Sequence, residues 1–201
     1  SFVYDSSKLK QPPQSLKELV ERNDLKIIYE DPRTSTPGQG LLLWVKQVYG
    51  EKAPAAWEQL AKKTVTVTKG WSEAYGMFLK GQSDLVLSYT TSPAYHRLAE
   101  HNLQYRAALF SEGHVRQVEV AAQLKNATQP KLAQQFMQFV LSDRFQNLIP
   151  EGNWMYPVTN VVLPKDFNQN ETPAKTLSVD AKKLGTQRKV WVKEWLQAVS
   201  H

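Results

Sequence analysis

The first half of the chain alternates short apolar runs with stretches in which apolar residues recur at helical spacing. The short runs predict β-strands at residues 2–4, 25–29, 64–68 and 84–89. The helical spacing predicts helices near residues 15–22, 41–49, 54–62, 71–79 and 90–96. Strands that alternate with helices indicate an α/β fold, with a parallel sheet and right-handed crossovers.

The second half of the chain has a different pattern. Extended segments are predicted at 104–110 and 117–122, and a helix at 131–140 with Leu132, Phe136 and Phe139 on one side. Ser142 is expected to cap a further helix that buries Phe145, Leu148 and Ile149. The remaining predictions are an irregular aromatic loop, a polar surface stretch and a terminal amphipathic helix, at 150–157, 163–180 and 187–199.

Composition narrows the class of protein. The 201 residues, 41% hydrophobic and 22% charged, are typical of a soluble globular protein of one large or two small domains. The chain has no cysteine, which excludes disulfides and thiolate metal sites. The net charge of +6 is spread along the chain, so a nucleic-acid partner is not expected. With no initiator Met and no signal peptide before Ser1, a processed or truncated chain is expected.

A hydroxyl-rich turn at 31–40 separates the predicted strand at 25–29 from the helix at 41–49. Strand, turn and helix in this order form anion or small-ligand sites in α/β proteins, because the first N–H groups of a helix lack internal partners. Ser35 and Thr36 add hydroxyl groups, and Gly38 allows close approach to the backbone. A capped helix start without a ligand explains this stretch equally well.

Aromatic residues follow several of the predicted strands. Ligands of parallel sheets bind beyond the carboxyl ends of the strands. The first of these strands ends before Ser35, the second ends before Trp71, and the third ends at Tyr89, with Tyr95 just beyond. The aromatic loop adds Trp154. Such a rim suits a flat or cationic ligand, although each aromatic residue could instead serve packing. Four other tryptophans lie on apolar helix faces and are expected in the core: Trp44, Trp57, Trp191 and Trp195.

Catalytic and metal-binding patterns are weak. The four histidines, at positions 96, 101, 114 and 201, lack metal-ligand spacing. The serines near the predicted strand ends lack the glycine pattern of a nucleophile elbow. Glu112 and His114 remain as a possible local acid/base pair. No catalytic and no metal site is predicted.

Six long motifs together resemble the periplasmic thiamine-binding proteins of bacterial ABC transporters, within the type 2 periplasmic binding proteins. They are Phe2-Val-Tyr-Asp5, Pro12-Pro-Gln-Ser-Leu-Lys-Glu-Leu19, Tyr29-Glu-Asp-Pro-Arg-Thr-Ser-Thr-Pro-Gly38, Lys63-Thr-Val-Thr-Val-Thr-Lys-Gly-Trp-Ser-Glu-Ala-Tyr-Gly76, Ser83-Asp-Leu-Val-Leu-Ser-Tyr-Thr-Thr-Ser-Pro-Ala-Tyr-His96 and Gly152-Asn-Trp-Met-Tyr-Pro157. The resemblance extends nearly from end to end. The Asp-Pro-x-x-Ser-Thr turn alone would indicate only the wider class.

The resemblance implies a type 2 periplasmic-binding-protein fold: two α/β lobes with a ligand cleft between them, the first lobe incomplete in this sequence. Residues 1–5 would be a crossover segment, 6–104 the second lobe, and 105–201 the return to the first lobe and the C-terminal helices. A signal peptide and most of the N-terminal half of the first lobe would lie outside this sequence.

The resemblance also implies a non-catalytic function. The protein would be a periplasmic solute-binding component, expected as a monomer, which needs no cofactor. It would bind thiamine, and its esters thiamine phosphate and thiamine pyrophosphate, for delivery to an ABC permease in the inner membrane.

Five positions match the ligand-binding motifs of that family. Ser35 and Trp71 would face the hydroxyethyl or phosphate end of the ligand, and Tyr89 and Tyr95 would contact its tail and rings. Trp154 would stack on the aminopyrimidine or the thiazolium. Further stacking partners and an acidic residue from the family's N-terminal region have no counterpart here.

Two alternatives remain. A type 2 relative could bind another solute, such as ferric ion or a phosphorylated compound. An iron site would need a tyrosine pair with a carboxylate or histidine, and Tyr89 and Tyr95 are not adjacent. The protein could also be an enzyme acting on thiamine compounds, with Glu112 or His114 as the acid/base residue.

Overall fold

The computed structural model describes residues 1–169 and 171–200. Asn170 and His201, one of the four histidines considered above, lie outside the described residues. The strands are β1 (Phe2–Asp5), β2 (Ile27–Glu30), β3 (Thr64–Thr68), β4 (Leu85–Leu87), β5 (Tyr105–Ala108), β6 (His114–Val115) and β7 (Thr176–Leu177). The helices are α1 (Leu16–Glu21), α2 (Thr36–Tyr49), α3 (Ala53–Lys63), α4 (Trp71–Leu79), α5 (Ser92–Ala99), α6 (Pro130–Val140), α7 (Asp143–Gln146), α8 (Ile149–Gly152) and α9 (Ala181–Val199).

Five strands form one sheet in the order β3-β2-β4-β1-β5. β2 runs parallel to β3 and β4, as the alternation of strands and helices predicts. β1 runs antiparallel to both β4 and β5, so the predicted parallel arrangement holds for β2, β3 and β4 but does not extend to this strand. An apolar pattern marks a strand but carries no information about its direction, which depends on partners distant in the sequence.

The two faces of the sheet bury different sets of side chains, because successive residues of a strand point to opposite sides. Ile27 and Tyr29 face a large cluster formed with α1, α2, α3 and α9. Ile28 faces a smaller cluster with Tyr75 and Phe78 of α4. The four tryptophans predicted for the core are all buried, and the Trp195 indole N–H donates to the Tyr29 hydroxyl at 3.1 Å. The five-stranded sheet therefore has a well-packed apolar cluster on each of its faces.

In the second half, α6 matches the helix predicted at 131–140, whereas α9 begins at Ala181, six residues before the predicted start, and α8 occupies the start of the predicted irregular loop. Several apolar residues of this half are not buried. On α6, Leu132 is 62% exposed, and Phe136 and Phe139 are also exposed. Leu148 is 65% exposed, so its predicted burial is wrong, while Phe145 and Ile149 are half-buried. Residues 117–122 form no strand. Helical spacing identifies an apolar face but not whether another element covers it.

The stretch at 163–180 is more buried than its polar composition predicts. Phe167 and Glu171 are buried. The Glu171 carboxylate accepts a hydrogen bond from Arg97 of α5 at 2.8 Å, and the same guanidinium donates to the carbonyl oxygens of Asp166 and Phe167. One buried ion pair therefore fixes this stretch to the sheet domain.

None of the helices within the described residues is both long and apolar enough to cross a bilayer.

Helix α2 begins at Thr36, five residues before the predicted start at 41. Pro37 suits the first turn of a helix, where its missing N–H is not needed. Gly38 is required there by a close approach, because a Cβ at this position would stand 2.1 Å from the carbonyl oxygen of Glu30. The first turn of α2 is thus in direct contact with the end of β2.

This contact predicts a large effect of Gly38→Ala. The added methyl group has no room against the β2 backbone, so we expect the free energy of unfolding to fall by about 3 kcal/mol. Gly40→Ala is the matched control, since a Cβ at Gly40 meets nothing within 4 Å. Alanine favours helix by roughly 0.5–1 kcal/mol over glycine, so this variant should be slightly more stable. Urea unfolding followed by circular dichroism measures both, and equal stabilities would contradict the contact.

Candidate functional site

The candidate site lies where β2, β3 and β4 end and α2 and α4 begin. Ser35 is the N-cap residue of α2, and its hydroxyl makes no side-chain capping hydrogen bond. The hydroxyl of Thr34 donates to the carbonyl of Lys69 at 2.7 Å, which joins the turn after β2 to the loop after β3. Asp31 and Arg33 form an ion pair at 2.6 Å in the same turn, and this guanidinium lowers the pKa of the Asp31 carboxyl. The N-terminus of α2 therefore offers N–H groups and a hydroxyl to an anion or polar group.

Trp71 is the first residue of α4 and is held in place by two serines. Its indole N–H donates to the Ser88 hydroxyl at 2.7 Å, and that hydroxyl lies 2.7 Å from the hydroxyl of Ser92. The Ser92 hydroxyl also accepts from the backbone N–H of Tyr89 at 3.2 Å. One face of the indole stacks on Tyr75, with ring centroids 4.9 Å apart. Trp71 is 38% exposed, so an oriented indole remains accessible at the rim.

Tyr95 and Trp154 form a second aromatic group. Their rings meet edge to face with centroids 5.2 Å apart. Trp154 has φ of +55°, a left-handed backbone conformation that bulky residues rarely adopt. The aromatic loop is also joined to the start of α5 by the Thr91 hydroxyl, 3.7 Å from the sulfur of Met155. Strained backbone conformations that surrounding contacts maintain occur often at binding sites. The positive φ therefore supports a ligand-binding role for Trp154.

His96 contacts a residue beside each aromatic group, Tyr75 next to Trp71 and Tyr95 next to Trp154. Its Nδ1 lies 2.6 Å from the Glu100 carboxylate and its Nε2 lies 2.9 Å from the Tyr75 hydroxyl. Both ring nitrogens of His96 are therefore within hydrogen-bond distance of a partner, a carboxylate at one and a phenol at the other. His96 is buried and also packs edge to face on Tyr95, with centroids 5.2 Å apart. One side chain thus contacts the supports of both Trp71 and Trp154.

Glu30, the last residue of β2, is fully buried at this edge of the sheet. Neither carboxyl oxygen has a hydrogen-bond partner in the part of the chain that the structure describes. Burial raises the pKa of Glu30 to about 8, so the group is mainly protonated at neutral pH. Sequence reasoning missed this residue, although an acid at the end of an apolar strand was a visible signal.

The predicted site residues do not all touch one another. Trp71 and Tyr89 are linked through Ser88 and Ser92, and Tyr95 contacts Trp154 directly. Ser35 occupies the same sheet edge without a direct hydrogen bond to the other four among the described residues. Tyr89 is half-buried, and burial raises its pKa.

The acid/base pair proposed for Glu112 and His114 does not form. The Glu112 carboxylate accepts from the backbone N–H groups of Leu16 and Lys17, at the start of α1. His114 Nε2 accepts from the N–H of Phe110 at 2.8 Å, and burial lowers the pKa of His114 to about 3. Both side chains have structural roles. Within residues 1–169 and 171–200, no group of three or more His, Asp or Glu residues is placed to hold a metal ion.

Comparison with known proteins matches residues 2–151 to the family model described as bacterial extracellular solute-binding protein. The chain is 64% identical over 201 residues to the thiamine-binding periplasmic protein of Escherichia coli (strain K12), covering all of this chain and 62% of that protein. It is 51% identical over 203 residues to the thiamine-binding periplasmic protein of Brucella abortus biovar 1 (strain 9-941), with 61% of that protein covered. The chain thus spans about 62% of the length of these relatives.

A solved structure described as periplasmic thiamin binding protein superposes with a TM-score of 0.98 at 63% sequence identity. The match covers all of this chain and 64% of that one. The α/β fold expected from the sequence is therefore confirmed as that of periplasmic solute-binding proteins.

The buried carboxyl of Glu30 predicts a pH-dependent stability. The unfolded chain releases this proton near its ordinary pKa of 4.5, whereas the folded chain holds it until about pH 8. The folded state is therefore progressively disfavoured as pH rises through this window, and the loss is complete above pH 8. Glu30→Gln keeps the shape and removes the titration, so it should gain roughly 3–5 kcal/mol relative to the parent between acid and alkaline pH.

Urea unfolding at several pH values measures this difference. The control is Glu73→Gln, which changes an exposed acid in the first turn of α4 and should leave the pH profile of the parent intact. Parallel profiles for the parent and Glu30→Gln would show that Glu30 titrates normally and would contradict the assignment.

Proposed function

The chain belongs to the family of bacterial extracellular solute-binding proteins, and we propose that it forms the ligand-binding part of a thiamine importer. In this proposal the protein binds thiamine in the periplasm, as a monomer, and delivers it to an ABC permease in the inner membrane. The observation that carries the proposal is the pair of oriented aromatic groups, Trp71 and Tyr95 with Trp154, beside the start of α2. Relatives named for thiamine binding supply the identity of the ligand.

The aromatic groups suit the rings of thiamine. The molecule has a planar aminopyrimidine and a cationic thiazolium, and each stacked ring contributes about 0.5–1.5 kcal/mol beyond its buried area. A desolvated cation over an aromatic face contributes about 2 kcal/mol. Trp154 is assigned to the rings, with Tyr95 at its edge. Trp71 is fixed by Ser88, so little side-chain entropy is lost when a ligand stacks on it.

The start of α2 suits the tail of the ligand. Thiamine ends in a hydroxyethyl group, and its esters thiamine phosphate and thiamine pyrophosphate carry phosphate there. Ser35 would bond the hydroxyl or phosphate oxygen, and the first N–H groups of α2 would meet a negative charge. The backbone N–H of Tyr89 donates to Ser92 in the serine network that holds Trp71, and this proximity to Trp71 supports the assignment of Tyr89 to the tail.

We propose three parts: 1–5 as a crossover, 6–104 as one lobe, and 105–201 as the return to the other lobe with its C-terminal helices, of which α9 packs on α2 and α3 of the 6–104 lobe. The crossover strand β1 lies beside β5, which leads into the third part. The backbone N–H of Ser6 donates to the carbonyl of Gln104 at 2.8 Å, so the two proposed boundaries are adjacent in space.

Transport is favoured over catalysis. The enzyme alternative depended on Glu112 and His114, and both side chains are committed to backbone hydrogen bonds. Among the described residues no group of three or more His, Asp or Glu residues is placed to hold a metal ion, and Tyr95 packs on Trp154, so no observation favours the ferric-ion alternative.

Tryptophan fluorescence titrated with thiamine tests the proposal. We expect saturable quenching by thiamine and by thiamine pyrophosphate, but not by a non-aromatic quaternary amine. Trp71→Ala and Trp154→Ala should each weaken thiamine binding roughly tenfold, because each removes a stacking surface. Trp191→Phe, in the core contributed by α9, is the matched control and should bind as the parent does.

If this chain gives no saturable change, the titration is repeated with a form extended to the length of its relatives. Recovery of binding there would support the proposal for the longer protein. Silence in both forms would overturn the thiamine assignment.

A further inference from the structure

Glu30 is a buried acidic group whose side chain has no hydrogen-bond partner in the described part of the chain. It is fully buried at the end of β2, and neither carboxyl oxygen is hydrogen-bonded within the described residues. Buried carboxyls usually meet cations or N–H donors, because an unpaired charge in the interior is costly. Glu30 therefore contributes no evident stabilising interaction, and its location at the proposed ligand edge suggests a functional explanation.

The register of the sheet shows where the carboxyl lies. Alternation along β2 directs Glu30 to the same face as Ile28, which packs against α4. Glu30 pairs with Thr68 of β3, and Ile28 pairs with Val86, two residues before Ser88. The carboxyl is thus placed between Thr68 and Ser88. Since Ser88 holds the indole at the rim, Glu30 occupies the layer beneath the ligand-facing side chains.

The backbone of Glu30 is also in contact with the start of α2. The backbone of Gly38 approaches the Glu30 carbonyl so closely that a Cβ would stand 2.1 Å from it. The first turn of α2 carries no acidic residue, and the hydroxyl of its N-cap Ser35 is not used for capping. An anion bound at this helix start would meet favourable N–H groups, while the Glu30 carboxyl lies at the same edge of the sheet on the other face of β2.

The charged and titratable groups around Glu30 come from several elements. On the β1 side, burial lowers the pKa of the Ser1 amino group to about 5, and as an amide in a longer polypeptide this nitrogen would also be uncharged. After β4, burial raises the pKa of Tyr89, which keeps it neutral. In the turn before α2, Asp31 and Arg33 neutralise each other. On α4, Glu73 is exposed to solvent. Among these groups, Glu30 is the one whose charge changes near neutral pH.

We propose that Glu30 determines which ligand tail is accepted: its neutral carboxyl permits a phosphate group at the start of α2, and its ionised form disfavours phosphate esters relative to thiamine. This inference rests on the proposed function. The hydroxyethyl tail of thiamine is uncharged, so it has no direct Coulomb interaction with the carboxylate. A phosphate brought near a buried carboxylate is repelled through a medium that screens poorly.

Proton linkage gives the proposal a measurable consequence. Burial raises the pKa of Glu30 to about 8, so most molecules carry the neutral acid at pH 7 and a minority do at pH 8.5. If only the neutral form accepts phosphate, the apparent dissociation constant rises as that fraction falls, by about fourfold between these pH values. By reciprocity, binding of a phosphate ester at pH 8 draws a proton onto Glu30.

The experiment measures dissociation constants for thiamine and thiamine phosphate at pH 7 and pH 8.5, in whichever form of the protein binds thiamine. The readout is the ratio of the two constants, so that general effects of pH on the protein cancel. We expect the ratio of thiamine phosphate to thiamine to rise about fourfold in the parent and to stay constant in Glu30→Gln. Glu73→Gln should show the rise seen in the parent, because its carboxyl is exposed.

A flat ratio in the parent, or an equal rise in Glu30→Gln, would falsify the proposal while leaving thiamine binding established. Should Glu30→Gln fail to fold, titration calorimetry of the parent at pH 8 in two buffers of different ionisation enthalpy decides the question. Proton uptake with thiamine phosphate, but not with thiamine, supports the proposal, and equal uptake overturns it. Absence of thiamine binding in every form overturns the proposed function and this inference together.

Discussion

The close approach of α2 to the end of β2 is the contact on which the candidate site depends. It brings a helix N-terminus against the carboxyl edge of the sheet, where β3 and β4 also end. Gly38 makes this approach possible, because any side chain there would meet the Glu30 carbonyl. The same contact joins the helix start to the last residue of β2, Glu30, whose carboxyl is buried at this edge of the sheet.

The aromatic residues of the rim are oriented by polar groups rather than by apolar packing alone. Two serines fix the edge of Trp71, and Tyr75 supports its face. His96 joins this support to Tyr95 and is itself hydrogen-bonded to Glu100. One buried imidazole is therefore in contact with a residue of each aromatic group. Preorganised rings lose little entropy on stacking, which favours ligand affinity without additional contacts.

The sequence predicted local features well and partners poorly. The strand at 64–68 and the helix at 71–79 have the bounds that β3 and α4 adopt, because their signals are local: β-branched alternation and a Lys-Gly break. The direction of β1, the exposure of Leu148 and the burial of Glu171 depend on residues far away in sequence. Of the candidate site, the positions of Trp71 and Tyr95 at helix starts followed from the pattern of elements. Their supports did not, since Ser88 and His96 acquire their roles only through tertiary contacts.

The donors available at the rim determine how strongly the charge of Glu30 affects the binding of an anionic tail. The Arg33 guanidinium at this edge is neutralised by Asp31, so an anionic tail would depend on backbone N–H groups and hydroxyls. Such donors give modest stabilisation compared with a paired cation, and a single nearby negative charge can offset them. A site of this kind is sensitive to the protonation of one buried carboxyl, whereas a site built on an unpaired arginine would tolerate it. The weakness of the anion donors is therefore what would allow Glu30 to control selectivity.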